Sequence, residues 1–475
     1  MNVQSKPPAA AEAVAAPKAL DPRTRALLQG PIVPTLLRMA WPNVIIMFAQ
    51  AATGLIETFW VGMLGTDALA GMALVFPGVM LMQMFSAGAM GGGISSAIAR
   101  ALGAGRRDEA DALVLHALAI NLAFGLAFMA ALLLFGRPLY RAMGGEGASL
   151  EAALIYSNIV FGGIVALWLM NALASVIRGT GNMLVPALAI CAGVVALVPL
   201  SPLLIFGLGP IPAMGIAGGG IALVLYNLGV ALVLGWYVLS GRNIARVRLA
   251  PLAWARAREI LRVGAVAGVS TVQTNVTIAL VTALVGLSAG PAAVAGFGTA
   301  ARLEYLLVPL VFGIGGPLVA LVGTNIGAGQ RERALRIAWT GATTAFVLCE
   351  IIGVAAAFFP AAWLSLFGSD PAMIATGSAY LRAVGPFYGC FGFGLALYFA
   401  SQGAGKLLWP LLAGFARMAV AIGGGWLVLT LTGSLAWMFL SVGLALAVYG
   451  AGVAAAVWSG VWFRRATVPA APRTS

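Results

Sequence analysis

The fold class this sequence predicts is an all-α polytopic membrane protein: twelve transmembrane helices forming two six-helix bundles related by a pseudo-two-fold axis along the membrane normal. Three observations lead there. The chain is 61% hydrophobic and only 9% charged, with a mean hydropathy of +1.00, a balance no water-soluble domain of 475 residues would hold. Apolar runs of about 20 residues or more recur from end to end, each able to cross ~30 Å of hydrocarbon, and the length leaves room for about twelve. The chain also repeats itself at an offset of 224 residues: Leu37-Arg38 returns as Leu261-Arg262, Gly91-Gly92 as Gly315-Gly316 and Gly103-Ala-Gly as Gly327-Ala-Gly. Tyr156 likewise returns as Tyr380, Met143-Gly144 as Phe367-Gly368 and Pro186 as Pro410.

The spans follow in order. Residues 1–33 are charged without a central apolar run, and so are expected to be a cytoplasmic tail and not a signal peptide. The N-terminal bundle, 34–239, holds segments at about 34–62, 68–100, 112–135, 150–177, 183–206 and 215–239. Residues 240–263 carry Arg242, Arg246, Arg248, Arg256, Arg258 and Arg262 against the single acid Glu259, the composition of a cytoplasmic linker. The C-terminal bundle, 264–463, repeats the plan with segments at about 264–287, 291–325, 337–359, 372–401, 407–431 and 435–463; a Pro- and Ala-rich tail, 464–475, closes the chain. Six spans per copy return each copy to the side on which it began, so the copies are related by an axis along the membrane normal. Arg and Lys gather in the N-terminal tail, both GAG loops, the linker and Arg464-Arg465, while the other side receives chiefly Arg137 and Arg141, which predicts both termini in the cytoplasm.

Composition also excludes. The net charge of +13 sits in loops between spans, so it is read as orientation and contact with anionic headgroups; no nucleic-acid partner is expected, and membrane lipid is. Cys191, Cys349 and Cys390 lie in apolar runs without metal or redox spacing, and a single histidine, His116, rules out a histidine-based cluster. No phosphate-binding loop or acid cluster supports an enzyme, and no cofactor or metal is expected. Arg outnumbers Lys and Ala is abundant, the mark of a GC-rich bacterium, which places the chain in an inner membrane. The sequence leaves the oligomeric state open, a monomer among the options.

Of the acids, Glu57, Glu304 and Glu350 lie well inside apolar runs. An ionisable group in hydrocarbon costs about 3 kcal/mol on insertion scales and normally faces a polar cavity. Such a carboxyl can carry H⁺, or when charged bind Na⁺ as a hard oxygen ligand. Asn43, Gln50, Thr53 and Glu57 share one helical face, a polar stripe that should line water or meet another polar stripe. For Glu57 a cation-coupling role is preferred to a structural bond between helices. For Glu304, two residues from Arg302 and so not facing it, a cation role and a structural pair stand level. Glu350 has no polar neighbours at helical spacing and reads as structural. Gln273, Thr274 and Asn275, with Ser270, Thr271 and Thr277, make segment seven either a cavity wall or interhelical glue. Asn171 shares a face with Ser175 and Arg178 in segment four and joins the candidate substrate cavity. The methionines of segment two suit apolar cargo, though packing is the preferred reading.

Several stretches resemble the multidrug and toxic compound extrusion (MATE) transporters: ETFWVGMLGTDALAG at 57–71, the GAGR loop after segment two, RGTGN at 178–182, LLIFGLG at 203–209, and RLEYLLVPLVFGIGGPLVALVGTNIGAG at 302–329. Order and duplication make the resemblance specific, and it covers the chain beyond the N-terminal tail. It implies two six-helix bundles facing a central cleft, and export of organic compounds against inward flow of Na⁺ or H⁺. The chain departs from the family in three places. Glu57 stands where the family's first helix usually carries Asp. Leu197 and Ser201 stand where one branch has Asn and Asp, and positions near Asn275 and Phe391 stand where another has Glu and Asp. The expectation is therefore an antiporter exporting small organic compounds, cationic or amphipathic, in exchange for H⁺ or Na⁺. The alternative is a flippase of lipid-linked precursors on the same twin-bundle plan.

Overall fold

The computed structural model describes residues 21–248 and 250–463, so the expected tails at 1–20 and 464–475 lie outside the described residues. The secondary structure there is helical, with one isolated bridge between Leu208 and Ile211. A short helix α1 (Pro22–Gln29) is capped by the Asp21 side chain and precedes α2 (Ile32–Gly62), the first span. The second span is α3 (Thr66–Gln83), a π-helical stretch Met84–Met90, and α4 (Gly91–Gly103). Then come α5 (Arg107–Ala142), the bent pair α6 (Gly147–Gly162) and α7 (Ile164–Gly179), α8 (Leu184–Phe206) and α9 (Ile216–Leu239).

The second half contains α10 (Trp254–Ala301), α11 (Glu304–Gly327), α12 (Arg331–Phe358), the short α13 (Pro360–Leu364) and α14 (Pro371–Val384). It ends with α15 (Tyr388–Gly403), α16 (Leu408–Ala419), a π-helical turn Val420–Gly424, α17 (Gly425–Thr432) and α18 (Leu435–Trp458). The apolar stretch 254–327 is 74 residues long, far beyond the ~20 that one crossing needs. It reverses at Gly290, whose φ of 76° and ψ of −170° are open only to glycine. A Cβ on Gly286 would lie 3.2 Å from Val294, eight residues on, where a straight helix would hold them about 12 Å apart. Counting this hairpin as two spans gives the twelve-helix plan.

The repeat is visible in the packing. Gly91 meets Ser175 and Gly315 meets Phe399; Gly179 meets the Ser95 carbonyl and Gly403 meets that of Val319. Each residue of the second contact stands 224 positions after its counterpart in the first. Small residues at these crossings let helix backbones approach, the packing mode available where lipid supplies no hydrophobic drive. At one equivalent crossing the large partner has changed sides. In the first half Trp168 covers Gly125 and stacks on Phe124 and Phe128 at 5.7 and 5.6 Å; in the second, Cys349 covers Gly392. The buried apolar residues form two main cores, one including Trp168, Phe161 and Ile190 of the first half, the other including Tyr380, Phe439 and Leu397 of the second and joined by Leu36, Met39 and Ala40 of α2.

Three boundaries differ from those the sequence predicts. Residues 22–33 are not a free tail: α1 buries Leu27 and Leu28, and Asn325 Nδ2 donates to the Leu27 carbonyl at 3.1 Å. The linker is not loop throughout, because residues 254–263 are the first turns of α10. Its earlier part is strapped to α5: the Arg246 amide donates to Asp111 at 2.8 Å and Arg248 pairs with Asp108 at 2.7 Å. The Ala253 amide donates to His116 Nε2 at 2.9 Å, which accounts for the single histidine. Finally, segment eight is broken at Arg302-Leu303, so Glu304 opens α11 and does not stand mid-helix. Apolar periodicity runs through that break without Gly or Pro to mark it.

Candidate ion and cargo sites

The bundles meet at the end that carries α1, the GAG turns and the linker, called here the linker end. Ser96 Oγ donates to the Gln402 carbonyl at 2.6 Å, and Arg100 reaches the Gly403 carbonyl at 3.1 Å and Glu259 at 2.9 Å. A Cβ on Gly103 would fall 2.0 Å from the Thr324 carbonyl oxygen; one on Gly327 would fall 2.1 Å from that of Arg100. These two contacts exchange under the repeat, as a two-fold axis requires. Toward the middle, Asn43 Nδ2 donates to the Phe312 carbonyl at 2.9 Å, and Gly268 of α10 takes the ring of Phe85. Elements reaching the far end pack chiefly within their own half: α3, α8 and α9 in the first, α14 and α17 in the second.

The polar stripe of α2 divides along this geometry. Asn43 is spent on the contact with α11, Gln50 is half-buried, and Thr53 donates to its own helix at Ala49. Glu57, 1% exposed, lies inside the first bundle about 8 Å from the end of α2. Gly219 of α9 makes room for it, since a Cβ there would come within 3.0 Å of Glu57 Oε2. Tyr156 and Ser201 are within interaction range, yet neither Glu57 oxygen nor the Ser201 hydroxyl has a hydrogen-bond partner among the described residues. A buried carboxylate without a partner must be neutralised by a proton or a bound cation.

The second bundle holds Glu304 differently. At the first turn of α11, where the helix dipole favours a carboxylate, it accepts from Tyr380 Oη at 2.6 Å. Tyr380 is the repeat counterpart of Tyr156, so each half sets a tyrosine beside an acid, but the acids come from non-equivalent helices. Glu350 accepts from the Gly389 amide at 2.8 Å and caps the start of α15, a structural role. Gln273 is buried and donates to the Gly414 carbonyl at 2.9 Å and to Thr277 at 3.1 Å. Thr274 is half-buried, and Asn275 is exposed with its amide turned back on Thr271. Asn171 donates to Ser86 at 2.8 Å and to Gln83 at 3.3 Å, holding the π-helical turn of the second span. The sequence-predicted residues therefore do not converge: Thr53 and Glu57 share one interior, Gln273 lies in the other, and Asn43 lies between the bundles.

Sequence reasoning passed over Arg417. It stands about 14 Å along α16 from Leu408, well inside the apolar span Leu408–Thr432, and its guanidinium lies over the rings of Phe391 and Tyr449 at 5.5 and 5.8 Å. A lone arginine deep in an apolar run was the available signal.

A family model described as MatE matches residues 42–203 and again 267–427, one match for each half. The FAD transporter of Shewanella oneidensis is 29% identical over 77% of this chain and 81% of its own length. The probable multidrug resistance protein NorM of Deinococcus radiodurans is 30% identical over 87% of this chain and 92% of its own. Among solved structures, a MATE protein in a straight conformation superposes with a TM-score of 0.83 at 23% identity, covering 93% of this chain and 98% of that one. A MOP superfamily transporter from Pyrococcus furiosus superposes at 0.82 and 23%, covering 94% and 100%. The duplicated family match, taken with the twin bundles, makes this chain a multi-pass membrane transporter of the multidrug and toxic compound extrusion (MATE) family.

Proposed function

We propose that the protein is a secondary antiporter of a bacterial inner membrane that exports small organic compounds in exchange for H⁺ or Na⁺, its two bundles rocking about a central cleft. The observation that carries the reading is Glu57, a buried carboxylate in the first bundle with no partner for either oxygen. Taking the linker end as cytoplasmic, the positive-inside side, makes this arrangement outward-facing, with the cytoplasmic end shut by Ser96, Arg100 and the paired glycines. Cation entry at Glu57 from the open side would then favour repacking of the first bundle. Glu304 is the second coupling candidate. Polar side chains of α2 and α10, among them Gln50, Thr274 and Asn275, stand above the closed end as cargo contacts.

The test is transport in proteoliposomes of a fluorescent organic compound, with a pH gradient and a Na⁺ gradient imposed separately. One gradient should drive accumulation and the other should not; equal flux without either would sink the antiport reading. Ser201 replaces the second acid of one family branch and stands beside Glu57. Ser201→Ala is expected to keep export within about fivefold of wild type, since a single neutral hydroxyl contributes about 1 kcal/mol. An inactive but folded variant would instead assign the cation's second ligand to that hydroxyl.

The relatives include multidrug resistance proteins and an FAD transporter, and the latter's cargo is an aromatic anion. A flippase of lipid-linked precursors would need a strongly basic cleft, and Arg417 alone does not supply it.

A further inference from the structure

We propose that Arg417 is the anion-recognising residue of the cargo site, so that the C-terminal bundle takes planar aromatic compounds carrying a phosphate or carboxylate. This rests on the transporter reading above and narrows its cargo. An arginine well inside an apolar span is costly unless it is paired or faces a polar space. Arg417 is half-buried, and no carboxylate of the described residues lies within salt-bridge distance of it. Its guanidinium carbon lies over the rings of Phe391 from α15 and Tyr449 from α18. Cation–π contacts hold a guanidinium without using its N–H donors, and that planar fork of donors matches a phosphate or carboxylate in bidentate fashion.

The surroundings suit such a ligand. Gly414, one turn before Arg417 on the same face of α16, is bonded at its carbonyl by the buried Gln273. The turn just beyond, Val420–Gly424, is π-helical, a distortion that recurs at functional sites. Tyr388 is fully buried beside Tyr380 and Glu304, and Glu304, bonded to Tyr380, lies within electrostatic range of Arg417. The repeat provides an internal comparison. The counterpart of Arg417 in the first half is Gly193, whose missing side chain leaves room for the ring of Tyr226. Of the two equivalent positions only this one carries arginine, in the half that does not hold Glu57. Cation and organic anion would thus bind in different bundles.

A plainer role for Arg417 is as counter-ion to Glu304, and the experiment separates the two. Full-length protein in lipid nanodiscs is titrated with riboflavin 5′-phosphate and with riboflavin, which share a ring system and differ by the phosphate, with no ion gradient present. Wild type should bind the phosphate form about 10- to 100-fold more tightly, the range for a charged hydrogen-bonded pair. Arg417→Met should abolish that preference while leaving riboflavin binding unchanged, and Arg417→Lys should keep part of it. Should Arg417→Met fail to fold, the double variant Arg417→Met/Glu304→Gln removes both charges together and should show the same loss. Equal binding of the two flavins by wild type, binding of neither, or a preference that survives in the double variant would overturn the proposal. Because no gradient is involved, a preference found together with gradient-independent flux would defeat the antiport reading and leave this one standing.

Discussion

Glu57→Gln is expected to abolish gradient-driven export while leaving a folded protein in the membrane. Glutamine keeps the volume and hydrogen-bonding capacity of the side chain but cannot take up a proton or balance a cation. In wild type both carboxylate oxygens are buried without partners, against the space left by Gly219. An amide there is relieved of the cost of charge in hydrocarbon, about 3 kcal/mol, so stability should hold or rise. Export should fall to the leak rate, while binding of cargo, measured without a gradient, should change by less than about threefold, the scale of a neighbouring interaction of ~0.6 kcal/mol. Glu57→Asp should retain part of the export, because it keeps the charge on a side chain one methylene shorter. Glu304→Gln is the matched comparison, removing an acid that already has a tyrosine partner at 2.6 Å. Wild-type export by Glu57→Gln together with an inactive Glu304→Gln would move the coupling site to the second bundle.

Gly103→Ala and Gly327→Ala should each stop transport for a mechanical reason. A methyl group at either position meets a backbone carbonyl oxygen of the other bundle at 2.0 or 2.1 Å, well inside contact distance. No rotamer change relieves a clash with backbone, so the linker end cannot close as it does here. Both apolar cores are kept, and folding should be little affected. A cysteine introduced at Ser96, buried under Gln402 in wild type, should therefore become reactive to a polar thiol reagent from the linker side. Export should drop by about tenfold or more, consistent with a penalty of at least ~1.4 kcal/mol on the closed state. Full export with an unreactive cysteine would mean that the glycines do not form the closing contact.

Much of this architecture is legible in the chain because it rests on local composition and on the repeat. Segments seven and eight are separable at Ser288–Pro291, since Gly290 and Pro291 are strong punctuation, and Gly91, Gly103 and Gly179 all return 224 residues later. Other features leave no such mark. The break before Glu304 falls between Arg302 and Leu303, in a run with unbroken apolar periodicity. The partner of Asn43 lies 269 residues away on a carbonyl, which any sequence would supply. The α2 stripe is correctly read as one polar face, but its lower end belongs to the contact between bundles and its upper end to the interior of one. Periodicity states which residues share a face; it does not state what that face meets. Arg417 escaped for a related reason, since its meaning depends on two rings brought from α15 and α18.

The exchange of bulk at the crossing of Gly125 and Trp168 bears on how the two halves came to differ. In one half the tryptophan supplies the volume from one helix; in the other, Cys349 supplies less of it from the facing helix, against Gly392. Moving from either arrangement to the other one position at a time passes through an emptied core or an overfilled one. Losing a buried tryptophan costs about 3–5 kcal/mol, a large share of a domain's whole stability. Descent from a single duplicated ancestor must then have gone through paired or compensated replacements here. After such a step the halves are no longer spare copies of each other, and natural selection can tune a carboxylate in one and a guanidinium in the other as separate traits.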